Sequence, residues 1–359
     1  MRLLRSCTRT LARRWYTNEL HKRHQPQQRL TQSTSISLKG RQSSTARNLS
    51  HHHYGVPPSR LDSKEHPLGW RTIQGQVEPY FAQHWKFPSE KARHAFFAVG
   101  FSQAFSQFFP LTLDERVEGT CKMHYLALLI DDQLEKMSLS DMLSYRERVI
   151  RIARGEDSAD REVCIEWMLS DTLHAMRDVD DVLTGDLVEG FCTLLQAQTA
   201  QERLSVAHLG PYLAAREVDV GRTFYAALIR YGAKLHLSPS ELGQMAELES
   251  SAFRFMGVLN DIYSWDREWK VYQEDPTDGA RPFSAVYVLA QETGLSFPAC
   301  KGLLYSYCRE LEVVLKQSGE GIARQNAGTL RPDVAKYIKG LEYLMSGIER
   351  WSQWTPRYK

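Results

Sequence analysis

Two short stretches place chemistry-bearing side chains at helical spacing. In "LALLIDDQLEKM" (126–137), five apolar residues run straight into Asp131 and Asp132, and Glu135 follows four positions after the first aspartate. Residues four apart share a helix face, so Asp131 and Glu135 project together while Asp132 points about 100° away. Neighbouring carboxylates repel, and a cation between them is expected. The alternative is a solvated C-terminal turn, although acids at that end oppose the helix dipole. In "VLNDIYSWDREWK" (258–270), Asn260, Ser264 and Glu268 stand at i, i+4 and i+8 and line one stripe over two turns. All three offer oxygen. Oxygen ligands without His or Cys select Mg²⁺ or Mn²⁺ over zinc or copper, and Mg²⁺ completes its octahedron with water and substrate phosphate. The two stretches together predict a diphosphate substrate.

Helices must position these groups. From about residue 60 onward the signals are helical and strand signals are almost absent. "SEKARHAFFAVGFSQAFSQFF" (89–109) sets Phe97, Phe101, Phe105 and Phe108 at helical spacing with Pro110 closing it, and the acidic stretch ends a second long helix. Further helices are expected at 141–154, 160–178, 187–204, 218–236, 239–272, 281–294, 297–318 and 332–353. The fold class is therefore all-α: one helical domain, residues 61–359. Helical bundles build metal sites from side chains that face inward on neighbouring helices.

The composition excludes other classes. At 42% hydrophobic and 25% charged over 359 residues, the chain has the balance of a soluble globular protein. No apolar run reaches the roughly 18 residues of a bilayer-spanning helix, so no stable membrane insertion is expected. The net charge of +2 hides an asymmetry, because residues 1–50 carry nine Arg and two Lys against Glu19 alone, which leaves the body acidic. That opposes a nucleic-acid-binding body, which would need a basic face, and no nucleic-acid partner is expected. Residues 1–60 form a basic, Ser/Thr-rich extension, disordered or transit-like, ending in the linker "GVPPSR" (55–60). A cytoplasmic location is expected, with mitochondrial import as the alternative that this extension allows. Cys7, Cys121, Cys164, Cys192, Cys300 and Cys308 lack CxxC spacing and fit reduced core thiols. A monomer or homodimer is expected.

"DDQLE" and "NDIYSWDRE" together resemble the aspartate-rich motif and the NSE triad of class I terpene synthases, fungal sesquiterpene synthases in particular. The resemblance covers about residues 70–359 and implies a single-domain α-helical bundle around a central active-site cavity. In that family a diphosphate-sensing arginine lies upstream of the triad on a broken helix, and "YLAAREVDVG" (212–221) supplies Arg216. Asp219 and Val220 then take the linker and effector positions, with Val where Gly is common. Arg267, just before the triad's glutamate, stands where a basic residue contacts diphosphate. "RWSQWTPRYK" (350–359) resembles the closing Arg-Tyr pair, giving Arg357 and Tyr358. The family also implies three Mg²⁺ ions, with Mn²⁺ as a substitute. Asp131 and Glu135 would lie on one side, Asn260, Ser264 and Glu268 on the other, and Asp132 would hold Arg357 on closure. The implied reaction is Mg²⁺-dependent ionisation and cyclisation of a linear prenyl diphosphate, farnesyl diphosphate to a sesquiterpene hydrocarbon or alcohol, with diphosphate released. Geranylgeranyl diphosphate to a diterpene is the alternative.

The chemistry accounts for these residue types. A departing diphosphate needs positive charge where its negative charge develops, and the planar guanidinium fork of Arg216, Arg267 or Arg357 matches phosphate oxygens. The carbocation left behind needs a dry cavity with aromatic faces, for which the stripe offers Phe97, Phe101 and Phe105. Ala127 and His124, one and two turns before Asp131, face the same side, His124 as a hydrogen-bonded core residue. Three other readings compete. A chain-elongating prenyl transferase would need a second aspartate-rich motif in place of the NSE stripe. "DVDD" (178–181) matches the DxDD string of class II cyclases, but the chain lacks length for their paired barrels, so a solvated turn is expected there. A non-catalytic helical binding module could carry the motifs without turnover.

Overall fold

The computed structural model describes residues 58–134, 136–274, 282–325 and 330–359, apart from the side chains of residues 202 and 204. These fall in one compact unit, His51–Lys359. Glu135 and all but the last three residues of the basic extension lie outside the described residues.

Among the described residues there are thirteen α-helices and no strand. In chain order they are α1 (Trp70–His84), α2 (Glu90–Ala98), α3 (Phe101–Phe108), α4 (Val117–Leu134), α5 (Leu139–Arg154), α6 (Cys164–Val179) and α7 (Asp181–Gln198). There follow α8 (Leu209–Asp219), α9 (Arg222–Ala233), α10 (Pro239–Glu274), α11 (Ala285–Thr293), α12 (Phe297–Gln325) and α13 (Pro332–Trp354). Local chemistry starts many of them: Ser89, Ser138, Asp180 and Ser284 each cap a first turn with a side-chain oxygen, and Pro332 occupies the first turn of α13. The sequence reading missed α1, which carries Pro79 inside it.

The long helix α10 is the axis of the bundle. From Ser251 to Trp265 all but Arg254, Asn260 and Tyr263 are buried, because α8, α9, α11, α12 and α13 pack against it. A helix apolar all round belongs at a core, and the Asn260–Glu268 stripe leaves the bundle where this stretch ends. On the opposite side α4 packs against α1, α3, α6 and α9.

The expected single helix over 89–109 is two helices. Gly100 adopts left-handed φ 75° and separates α2 from α3. The break leaves the Val99 carbonyl free of a helix bond, and it accepts from Trp351 Nε1 at 3.2 Å and Thr355 Oγ1 at 3.1 Å. A Cβ on Gly100 would lie 2.5 Å from the Trp354 ring. The break thus fastens the end of α13, and the 3₁₀ turn Pro356–Tyr358 that follows is held beside α4 and α10. The DVDD string is also corrected. Asp180 is not a solvated turn residue: it caps α7, starting that helix before residue 187, and pairs with the buried Arg116 at 3.0 Å. The five described cysteines form no disulfide, and four of them are buried.

Candidate active site

A cavity of about 420 Å³ opens between α4 and α10. On one lip Asp131 lines it from the last turn of α4, where Gln198, at the end of α7, donates to Asp131 Oδ1 at 2.9 Å. Asp132 points away toward the C-terminus, as its helical phase requires, and accepts from Arg357 Nη2 at 2.9 Å. The same nitrogen is 3.8 Å from Asp131 Oδ2. Burial works against the charge of Arg357, but Asp132 beside it holds the guanidinium above its ordinary pKa.

The facing lip is α10. Asn260, Arg267 and Glu268 line the cavity, and Arg267 Nη2 lies 3.9 Å from Glu268 Oε1. Ser264, one turn from each end of the stripe, is buried, and its hydroxyl has no hydrogen-bond partner among the described residues. Asn260 is gripped from two sides: its Oδ1 accepts from Arg216 Nη2 at 2.8 Å, and its Nδ2 donates to the Tyr358 hydroxyl at 2.7 Å. Burial pushes the Tyr358 phenol up to about 12, with Arg357 pulling the other way, so it stays a neutral donor and acceptor.

Arg216 sits three residues before the end of α8, where the chain breaks at Gly221 (φ 93°) before α9 begins. Besides Asn260 it binds Asp219 and the Asp261 carboxylate, the latter at 3.1 Å from Nε and 3.0 Å from Nη2. Burial raises the Asp261 carboxyl to about 6, against the pull of Arg216, the Tyr212 hydroxyl at 2.5 Å and the Ala285 amide at 2.9 Å. Burial opposes the charge of Arg216 as well, yet Asp261, Tyr212 and Asp219 hold it well above its ordinary value. The arginine stem lies against Gly257, where an added Cβ would come within 2.8 Å of its Cγ. Asp219 also meets Arg203 at 2.9 Å, while Val220 lines the cavity.

The apolar end of the cavity includes Phe108, Ala127, Leu128, Leu194, Tyr225 and Trp351. Of the aromatic stripe, only Phe108 is a lining residue. Phe101 and Phe105 are buried in the core, and Phe97 is partly buried among Phe87 and Phe96, because the break at Gly100 swings α2 out of register with α3. Ala127 lines the cavity as its spacing predicted. His124 does too, but the expectation of a hydrogen-bonded core residue fails: neither ring nitrogen has a partner among the described residues.

Sequence reasoning missed Gln198, Asp261, Tyr212, Gly257, Tyr225 and Trp351. Asp261 was within sight, since it follows Asn260 in the same motif and its helical phase turns it toward α8. Gln198 and Tyr225 left no local signal.

The donor set fits a hard divalent cation. Asp131, Asn260, Ser264 and Glu268 offer oxygen only, and the unpartnered hydroxyl of Ser264 would be satisfied as a ligand. Among the described residues no three carboxylate, imidazole or thiol groups are arranged to hold a metal by themselves. The triad brings one carboxylate and two neutral oxygens, so much of the coordination falls to water and substrate phosphate.

Comparison with known proteins agrees with this geometry. Residues 122–312 match the family described as "Terpene synthase family 2, C-terminal metal binding". An aristolochene synthase of Aspergillus terreus is 38% identical over 307 residues, covering 84% of this chain and 93% of its own. One from Penicillium roqueforti is 40% identical over 304 residues, covering 84% and 88%. The crystal structure of aristolochene synthase from Penicillium roqueforti superposes with a TM-score of 0.73 at 38% identity, covering 84% of this chain and 99% of that one. Hedycaryol synthase in complex with nerolidol, at 16% identity and TM-score 0.67, shares the fold. The chain belongs to the terpene synthase family and is an enzyme of the class I type. The relatives it resembles at 38–40% identity are fungal aristolochene synthases.

Proposed function

We infer that the protein ionises and cyclises farnesyl diphosphate to a sesquiterpene and releases diphosphate. The observation that carries this reading is one cavity with oxygen donors on two facing lips, Arg216, Arg267 and Arg357 among its lining residues and an apolar, aromatic interior. Asp131 on α4 and Asn260, Ser264 and Glu268 on α10 would hold Mg²⁺, three ions by family resemblance, with Glu135 a further ligand and Mn²⁺ a substitute. Bound metal would supply the positive charge that stabilises diphosphate as the carbon–oxygen bond breaks.

The chain's own groups do the rest. Arg216, Arg267 and Arg357 present guanidinium forks to phosphate oxygens, and Tyr358 adds a hydroxyl donor. Arg216 is already oriented by Asp219, Asp261 and Asn260, so little reorganisation is needed as charge develops. Once substrate phosphate competes for Arg357, Asp132 keeps the C-terminal turn close, which excludes water. Inside, the faces of Phe108, Tyr225 and Trp351 stabilise cationic carbon without attacking it.

The aristolochene names of the relatives support the C15 substrate over the C20 alternative. Among the described residues no helix is long and apolar enough to cross a membrane, and a cytoplasmic monomer or homodimer, with residues 1–60 dispensable to the 61–359 catalytic domain, completes the reading. The test is incubation of the full chain with geranyl, farnesyl or geranylgeranyl diphosphate, with and without Mg²⁺, followed by identification of volatile products. A C15 hydrocarbon or alcohol formed from farnesyl diphosphate only with metal is expected. No metal-dependent diphosphate release from any of the three would overturn the reading.

A further inference from the structure

One group at the apolar end of the cavity has no part in ionisation. His124 lies two turns before Asp131 on α4, which puts it about 10 Å deeper along the helix axis than the carboxylate at the mouth. Its ring is buried, lines the cavity, and has both nitrogens unpartnered among the described residues. Aromatic rings surround it: Phe108, Phe109 and Tyr225 at centroid distances of 5.8, 5.8 and 5.9 Å. Two unpaired polar atoms in such a setting are unfavourable. A leucine or phenylalanine would fill the space without that cost, so the imidazole invites a chemical reason.

The cyclase reading, on which this inference rests, supplies one. A carbocation cascade that yields a hydrocarbon must end by losing a proton, deep among the carbons and away from the diphosphate. The lining carboxylates Asp131, Asp219 and Glu268 each face an arginine, Arg357, Arg216 and Arg267 in turn. The lining arginine guanidinium groups offer donors and no acceptor. His124 is the one imidazole among the lining residues.

We propose that His124 is the proton acceptor that ends the cascade, making it a catalytic residue. The C–H bond next to the cationic carbon breaks, its electron pair becomes the new C=C π bond, and the proton goes to whichever imidazole nitrogen carries the lone pair. The ring becomes an imidazolium held among three aromatic rings within cation–π reach. Water takes the proton when the site opens to release hydrocarbon and diphosphate. Burial pulls the imidazole's pKa down to about 3, so the ring enters each turnover neutral with its lone pair available. That weak basicity is no obstacle, because a proton beside a carbocation is far more acidic than an imidazolium.

The experiment is His124→Leu in the full chain with farnesyl diphosphate and Mg²⁺, reading products against diphosphate released and melting temperature alongside. A positioned base contributes about 10²–10⁴-fold to proton transfer, so the main wild-type hydrocarbon should fall at least about tenfold per diphosphate released. Products quenched by other routes should take its place. The leucine variant should melt at or above the wild type, since two orphaned nitrogens are gone. If it does not fold, His124→Asn, polar but not basic, gives the same readout. Either variant making the wild-type hydrocarbon in its wild-type share makes His124 a packing residue and overturns the proposal. A wild-type main product that is an alcohol, lost in the variants, also overturns it, because His124 would then hold a water. Failure of the wild type to make any metal-dependent product would be seen first, and would sink the cyclase reading instead.

Discussion

Arg216 and Arg357 reach the same cavity from opposite lips, and their side chains are equally covered, 12% and 13% exposed. Their partners differ. Asp219 and Asp261, which hold Arg216, are 3% and 1% exposed, while Asp132 and Asp131, which face Arg357, are 30% and 35% exposed. Carboxylates whose task is to aim an arginine are sealed inside the bundle, where water cannot screen them. The carboxylates proposed to meet a metal or trade partners stay reachable. Arg216 also bridges two helices, α8 and α10, whereas Arg357 rides on a three-residue turn at the chain's end. One arginine is a fixed part of the bundle, and the other is a clasp.

The sharpest way to break this comparison is to neutralise a reachable carboxylate without changing its shape. Asp131→Asn or Glu268→Gln should lower turnover at least about a hundredfold, the scale on which lost charge stabilisation appears in rates, with melting almost unchanged. Wild-type turnover in either variant would remove that side chain from the metal site. Arg216→Lys comes next, because lysine keeps the charge and loses the fork. One charge-assisted hydrogen bond contributes about 1.5 to 3 kcal/mol, so kcat should fall about ten- to a hundredfold with KM little changed. A rise in KM alone would mean that Arg216 binds diphosphate equally well before and during ionisation.

Thermal unfolding then separates the fixed arginine from the clasp. Arg216→Ala leaves Asp261 buried without its cation and should lose about 3 to 5 kcal/mol of stability. Arg357→Ala breaks a pair whose carboxylates touch solvent and should lose no more than about 1 kcal/mol. Equal losses would erase the distinction between the two. The smallest effect is expected from deleting residues 1–50, which contain no site residue: kcat and KM of the soluble truncation should match the full chain. Lost activity in a folded truncation would mean that the extension takes part.

The oxygen-donor stripe of α10 was legible in the sequence because a helix fixes its phase locally. Asn260, Ser264 and Glu268 share a face at any position in any fold, and Asp131 and Asp132 diverge for the same reason. The broken helix near Arg216 was legible through its family pattern, and Gly221 carries the left-handed φ that makes the break. The aromatic wall was misread because Gly100 interrupts the Phe stripe. Periodicity assumes one continuous axis, and the left-handed Gly100 resets it, cutting Phe97 off from the other three; within α3, packing alone leaves Phe108 at the cavity and Phe101 and Phe105 in the core.

By itself the sequence determined the all-α class, the oxygen-only donor set and the three candidate arginines, since residue type and helical phase are properties of a few neighbouring positions. Only the tertiary structure decided which groups meet. Gln198 reaches Asp131 from 67 positions away, and Tyr358 reaches Asn260 from 98. The isolation of His124 among aromatic rings from α3, α9 and the residue after α3 is likewise written in no local pattern. Whether a buried polar atom finds a partner depends on every helix packed around it, and that is settled when the bundle closes.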